Sequence, residues 1–356
     1  MSSVSDKRMS DSFDAILVVS FGGPEGMDDV IPFLRNVLKG RNVPEERLQA
    51  VAKHYEMFGG VSPINGQNRA LISALRNELD LYGPRLPIYW GNRNWTPFLS
   101  EALKQMKKDG VKNSLAFFTS AYSSYSGCRQ YRENIEHAAE QVGEGAPKIS
   151  KLRAFYNHPG FIEPNIEAVA TVLNSIPSAR RDAAAIAFTA HSIPESMSAG
   201  CEYQKQLTET CSFIANALGH VHWKLVFQSR SGAPGQPWLG PDICDHLRIL
   251  KEQGFSDVVV SPVGFISDHL EVKYDLDTQA AEVAMQLGLN MVRAPTIGIH
   301  PRFIRMIREL INERIDDAAP RLFLGNGGPS HDICPIDCCL PGTAGPARPA
   351  NSGPIR

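Results

Sequence analysis

The chain predicts an α/β protein of two Rossmann-like lobes, each a parallel sheet flanked by helices, with a ligand cleft between them. Apolar runs rich in β-branched residues recur near 14–21, 86–93, 113–121, 150–156, 184–190, 223–229, 256–265 and 291–297, with helix-length segments between them. That alternation marks βαβ units and parallel pairing. The runs also fall into an early and a late set, parted by the polar stretch 139–150. A length of 356 residues accommodates two full cores, and 43% hydrophobic with 21% charged residues is a globular composition.

Taken in order, the first lobe is expected over 13–140. It opens on the run Ala15-Ile16-Leu17-Val18-Val19, which suits a strand buried on both faces. A helix over 66–80 follows Pro63, and another over 96–109 has Thr96 as its cap and Pro97 at its first position. The second lobe is expected over 150–297, with a helix over 200–219. A further helix, 300–316, opens at Pro301 and is expected to pack back on the first lobe. From Gly325 onward Gly and Pro dominate: 325–340 carries a group of cysteines, and 341–356 reads as a disordered tail. No internal repeat shows in residue identity.

Charge and missing motifs narrow the function. A net charge of −2 gives no basic footprint for nucleic acid. The first twelve residues are polar, and no apolar run approaches the roughly 20 residues of a spanning helix, so a cytoplasmic monomer without stable membrane association is expected. The P-loop, the G-x-G-x-x-G fingerprint, the G-x-S-x-G elbow and H-E-x-x-H are all absent. His269-Leu270-Glu271 imitates the H-x-E of zinc deaminases, but the accompanying P-C-x-x-C is missing, since three residues separate Cys334 from Cys338.

Strand ends locate the chemistry, because open α/β sheets bind ligands in the crevice outside their carboxyl ends. The run Val258 to Phe265 delivers Ser267-Asp268-His269-Leu270-Glu271-Val272-Lys273-Tyr274-Asp275 to such an edge, and helical spacing stacks Glu271 over Asp275. The run Ala185 to Ala190 delivers His191-Ser192-Ile193-Pro194-Glu195 in the same way. A histidine and an acidic helix then face one cleft. Singly, each has a plainer reading: a histidine after a strand is commonly a cap, and the helix dipole alone favours an acid in a first turn.

Five segments together resemble the ferrochelatases, which insert ferrous iron into a porphyrin. They are Phe21-Gly22-Gly23-Pro24; Gly60-Val61-Ser62-Pro63-Ile64; Phe188-Thr189-Ala190-His191-Ser192-Ile193-Pro194; Gln228-Ser229 through Pro237-Trp238-Leu239-Gly240-Pro241; and Ser267 through Asp275. They run in the family's order over nearly the whole chain. The resemblance implies the chelatase fold, with a tetrapyrrole cleft between the lobes and haem biosynthesis as the setting. It implies His191 as the base that takes pyrrole protons and Glu271 as its partner acid, both handling the Fe²⁺ substrate, with His269 and Asp275 on a polar track. Trp238 fits a wall for the flat ring, alongside Phe21, Ser62, Arg93, Ser124 and Tyr125 as porphyrin contacts. Family members carry Tyr or Met at the position of Phe21, and a phenyl ring cannot ligate iron. Arg41, Arg47 and Lys53 are further candidates for the propionates.

A subset of the family carries a [2Fe–2S] cluster on three cysteines near the carboxyl terminus and one from the first lobe. Cys334, Cys338 and Cys339 match the three and Cys128 the fourth. Adjacent cysteines and a C-x₃-C gap also leave a zinc site or idle thiols open, while Cys201, Cys211 and Cys244 read as packing residues. Membrane-associated members use protoporphyrin IX. Soluble members of many Gram-positive bacteria use coproporphyrin III, which is the expected substrate here. A cobalt or nickel chelatase acting on a sirohydrochlorin is a rival, but it lacks the Pro-Trp-Leu-Gly-Pro loop. A porphyrin or haem carrier, the other rival, has no need of a base facing an acidic helix.

Overall fold

A computed structural model describes residues 12–40, 43–232 and 235–342. Arg41 and residues 343–356 of the expected tail lie outside them. Among the described residues eight strands build two four-stranded parallel sheets. The first comprises β1 (Ala15–Ser20), β2 (Ile88–Asn92), β3 (Asn113–Phe118) and β4 (Lys148–Lys151), in the order β2-β1-β3-β4. The second comprises β5 (Ala185–His191), β6 (Trp223–Gln228), β7 (Asp257–Ser261) and β8 (Asn290–Arg293), in the order β6-β5-β7-β8. Among the described residues no helix is long and apolar enough to cross a membrane.

Every residue of β1 is buried, as both faces of a parallel sheet must be where helices cover them. Side chains alternate between two cores. Ile16 and Val18 face Leu75, Leu79, Phe117 and Phe161, whereas Leu17 and Val19 face Leu99, Leu103, Met106 and Ile135. The first of these cores continues without a break into the second sheet, through Ile186, Phe188 and Val259. The helix Pro301–Ile315 contributes Phe303, Met306 and Ile307 to that shared core. Its polar side is pinned to the helix Ile64–Tyr82 by Arg308 and Glu78 at 2.7 Å, and to the helix Pro159–Ser175 by Arg302 and Glu163 at 2.7 Å.

Several boundaries differ from expectation, the largest being that between the lobes: β4 pairs with β3, so the run expected to open the second lobe at 150 closes the first sheet instead. β4 ends at Lys151 rather than near 156, because Arg153 turns into a buried two-pronged pair with Glu313, at 2.7 and 2.9 Å, beneath the helix Pro301–Ile315. The helix expected over 96–109 is Leu99–Lys108, with Phe98 in place of Thr96 as its cap residue. Asn92 is the cause: its backbone N–H donates to the Pro97 carbonyl and its amide to the Thr96 carbonyl, holding both residues at the strand end. The side chain of Glu101 then accepts from the Phe98 N–H at 2.6 Å.

Candidate active site

β5 ends on His191, and the register carries that residue past its inner neighbour. Pairing with β7 stops where Phe188 meets Ser261, while pairing with β6 continues to His191 and Gln228. The imidazole therefore stands at the carboxyl edge of the sheet, 34% exposed. Its Nδ1 meets the Ser192 carbonyl oxygen, an acceptor only, so Nδ1 is the protonated nitrogen of the neutral ring and Nε2 holds the lone pair. Nε2 lies 3.6 Å from Glu271 Oε2, and His269 Nδ1 lies 4.0 Å from the same oxygen. One carboxylate oxygen thus serves two imidazoles. Loss of solvation lowers the pKa of His269, whose ring packs edge-on against Phe265 at 4.8 Å, and so favours its neutral form, while the Glu271 charge opposes the shift.

Behind Glu271 the α-helix Leu270–Tyr274 widens into a π-helix, Asp275–Ala280, a local irregularity common at functional sites. Asp275 opens it. Its carboxylate accepts from the Ser229 hydroxyl and, at 3.4 Å, from the Gln228 amide, which also reaches the Glu271 carbonyl at 3.4 Å. Burial raises the Asp275 pKa to about 6; the Ser229 hydrogen bond opposes that rise and the Glu271 charge adds to it. Ser229 has a φ of 62°, a left-handed conformation that a non-glycine residue rarely adopts.

The first lobe supplies the facing wall through the helix Glu45–Glu56. Leu270 packs among Phe33, Leu48, Ala52 and Tyr55, so the helix bearing Glu271 is fastened to that lobe at its base. His54 stacks on Tyr274, with ring centroids 3.8 Å apart. Burial raises the phenol pKa of Tyr55, and the Glu271 charge adds to it. Nothing local marks Tyr55 or His54, because their partners across the cleft, Leu270 and Tyr274, lie more than 200 residues away.

Other expected contacts are placed as follows. Phe21 packs edge-on against Phe33 at 6.2 Å and receives the Arg93 guanidinium over its ring at 5.6 Å. Arg93 also donates to Asn134 at 2.7 Å and stacks on Tyr131 at 4.5 Å, and its burial lowers its pKa. Ser62 is buried beneath Gly23, where a Cβ would collide with the Ser62 Cβ at 2.7 Å. Ser124 is buried too, its hydroxyl spent in accepting from the Gly127 N–H at 2.9 Å. Tyr125 donates to Glu133 at 3.1 Å. Trp238 lies over Gly232, and its backbone bridges Pro194 just beyond His191. Arg47 and Lys53 are exposed on the helix Glu45–Glu56.

A second group gathers the thiols. Cys128 lies in a π-helix, Tyr125–Arg129, and is buried with Cys334 and Cys339. Cys338 Sγ is 3.4 Å from Cys339 Sγ. Hydrogen bonds from Cys128 and Cys338 lower the Cys334 pKa, and the bond with Cys338 lowers that of Cys339, so both thiols are drawn toward thiolate. Arg129 donates to the carbonyls of Ile336 and Cys338, at 2.8 and 3.1 Å.

Similarity to known proteins agrees with this arrangement. A family model described as Ferrochelatase matches residues 13–315. The chain is 52% identical to a protein named Ferrochelatase from Rhodopirellula baltica, covering 96% of each. It is 49% identical to a Coproporphyrin III ferrochelatase of Streptomyces coelicolor, again over 96% of each. Among solved structures, SirB from Bacillus subtilis with Fe³⁺ superposes at a TM-score of 0.55 with 11% identity, covering 88% of this chain and all of that one, a likeness of fold. With the match running from the first strand to the last helix, and relatives near half identical over almost the full length, the chain belongs to the ferrochelatase family.

Proposed function

We propose that the chain inserts Fe²⁺ into coproporphyrin III, with His191 as the base. The observation that carries this reading is the Glu271 oxygen shared by two imidazoles at the cleft edge. Metallation breaks two pyrrole N–H bonds, forms Fe–N bonds in their place and releases two protons. His191 Nε2 takes a proton, and the Glu271 carboxylate, half-exposed, stabilises the imidazolium and passes the charge toward solvent. His191 is then free to take the second. Asp275, with a pKa near neutrality, takes up and returns protons behind Glu271. His269, its neutral form favoured by burial, offers Fe²⁺ a nitrogen donor beside the Glu271 oxygen.

Coproporphyrin III carries four propionates, so its rim needs cations. Arg47 and Lys53 on the helix Glu45–Glu56, and Arg93 beside Phe21, are the proposed partners. Several similar proteins named Coproporphyrin III ferrochelatase support the choice of substrate. The purified protein, mixed anaerobically with Fe²⁺ and each porphyrin in turn without detergent, is expected to metallate coproporphyrin III faster than protoporphyrin IX. The opposite order overturns the substrate, and tight binding without metallation overturns the enzyme in favour of a carrier.

Cys128, Cys334, Cys338 and Cys339 are the proposed holders of a [2Fe–2S] cluster. An all-thiolate set suits such a cluster, and Lys151, Arg132 and Arg129 stand near these thiols to offset their charge. When bound, it supplies a crosslink between the first lobe and the end of the chain.

A further inference from the structure

The thiol group has a fifth potential donor, His331, which begins an H-x₂-C-x₃-C spacing with Cys334 and Cys338. Its ring nitrogen and the two sulfurs all lie within 4.8 Å of one another, with Nε2 4.0 Å from Cys338 Sγ. A tetrahedral zinc-type ion, bound at about 2.3 Å by sulfur and about 2.0 Å by nitrogen, asks its ligands to stand roughly 3.5–4 Å apart. The three atoms need only close slightly on an ion. His331 is not there by accident of a loose loop. Its carbonyl accepts from Lys151 at 3.2 Å, and the next residue, Asp332, pairs with Arg321 at 3.1 Å. The ring is exposed and has no place in a core, so packing does not explain its position.

We propose that His331, Cys334 and Cys338 form a divalent, zinc-type site that is the alternative to the four-thiol cluster. The two occupants exclude one another because they share Cys334 and Cys338. An imidazole beside thiolates is a borderline donor set that favours a single divalent ion, whereas an iron–sulfur cluster on Cys128, Cys334, Cys338 and Cys339 leaves His331 unused. Binding deprotonates both thiols, and two protons leave to solvent. The fourth position on the ion falls to a water or to a neighbouring thiol, Cys128 or Cys339. In this state the tail stays folded and the protein is colourless. The proposal goes beyond the ferrochelatase reading and uses none of its catalytic residues.

Co²⁺ is the probe, since thiolate-to-cobalt charge transfer arises only at cysteines and ignores metal bound near His191. Full-length protein freed of its cluster and kept reduced is expected to take up one equivalent of Co²⁺ with that band, to lose the band when Zn²⁺ is added, and to melt at a higher temperature with Zn²⁺ than without. His331→Ala is expected to weaken both ions by at least about tenfold and to abolish the thermal shift, while still turning brown on anaerobic reconstitution with iron and sulfide. Unchanged Co²⁺ affinity in His331→Ala overturns the assignment. So does loss of the brown colour in that variant when the parent protein keeps it, because His331 then belongs to the cluster site itself. If the parent never becomes brown, the cluster reading fails, and the Co²⁺ titration still decides the role of His331.

Discussion

The two lobes are the same construction with different tips. Each sheet has its first strand second from one edge and its third and fourth strands beyond, in the orders β2-β1-β3-β4 and β6-β5-β7-β8. Phe21 follows the first strand of one and His191 ends the first strand of the other, and each has a proline three residues later, Pro24 and Pro194. At or just past that proline, an isolated antiparallel bridge ties each segment to a later loop, Glu25 to Val61 and Pro194 to Trp238. After each third strand comes a π-helix, Tyr125–Arg129 in one lobe and Asp275–Ala280 in the other. Topology thus offers equivalent stations at both sheet edges. One lobe fills them with an aromatic ring and a buried thiol, the other with an imidazole and a half-buried carboxylate. Position is a property of the fold, and chemistry a property of the residue placed there.

Substitutions at equivalent stations sharpen this contrast. The largest effect is expected at His191: His191→Ala should lower metallation by roughly 10²–10⁴-fold, with porphyrin binding, followed by fluorescence, kept. Near-normal turnover would remove the catalytic distinction between the lobes. Glu271→Gln should be similarly severe, and a mild effect there would move the partner role to Asp275. At the first-lobe π-helix, Cys128→Ser should cost colour, acid-labile sulfide and several degrees of Tm, read by thermal melt, at roughly 2–4 °C per kcal/mol. Cys201→Ser, Cys211→Ser and Cys244→Ser should keep the colour.

The second-lobe π-helix predicts a subtler effect with a definite sign. Burial pushes the Asp275 carboxyl up to about 6 from the ordinary aspartate value of 3.8, so its contribution to stability is complete below pH 3.8 and is lost as pH rises through about 6. Asp275→Asn should therefore match the parent in acid and exceed its stability by up to roughly 3 kcal/mol above pH 6, measured by urea titration across pH. Activity should fall in the same variant, and its pH profile should lose an inflection near 6. The smallest effect is expected at Phe21: Phe21→Tyr should metallate at close to the parent rate, and a large gain would show that this station can also serve the metal.

Eight apolar runs were legible in the sequence because burial and chain direction are local properties, but the run near 150 was grouped with the second lobe, whereas β4 pairs with β3 in the first sheet. His191 and Glu271 could be named from their segments, and the structure brings them to 3.6 Å. Legibility failed where a distant partner decides the outcome. Arg153 shortens β4 because Glu313 waits beneath it. Ser124 and Tyr125, expected as porphyrin contacts, are bonded to Gly127 and Glu133. The kinship of the two lobes was invisible in residue identity, since it resides in strand order and in paired bridges.

The stitching of residues 324–342 bears on how the chain is made. Leu324 and Gly328 are held by Asn157, His331 by Lys151, and Ile336 and Cys338 by Arg129; Gly342 then rests against Ser196 and Met197, just after His191. Cys334, Cys338 and Cys339 leave the ribosome roughly 200 residues after Cys128. A metal bridging Cys128 and Cys334 closes a ring of that length, which removes on the order of 4–5 kcal/mol of chain entropy from the unfolded state. A chain cut short before Cys334 cannot make that closure, however well its two lobes fold. The colour of the proposed cluster would then be visible only in chains whose synthesis had passed Cys339.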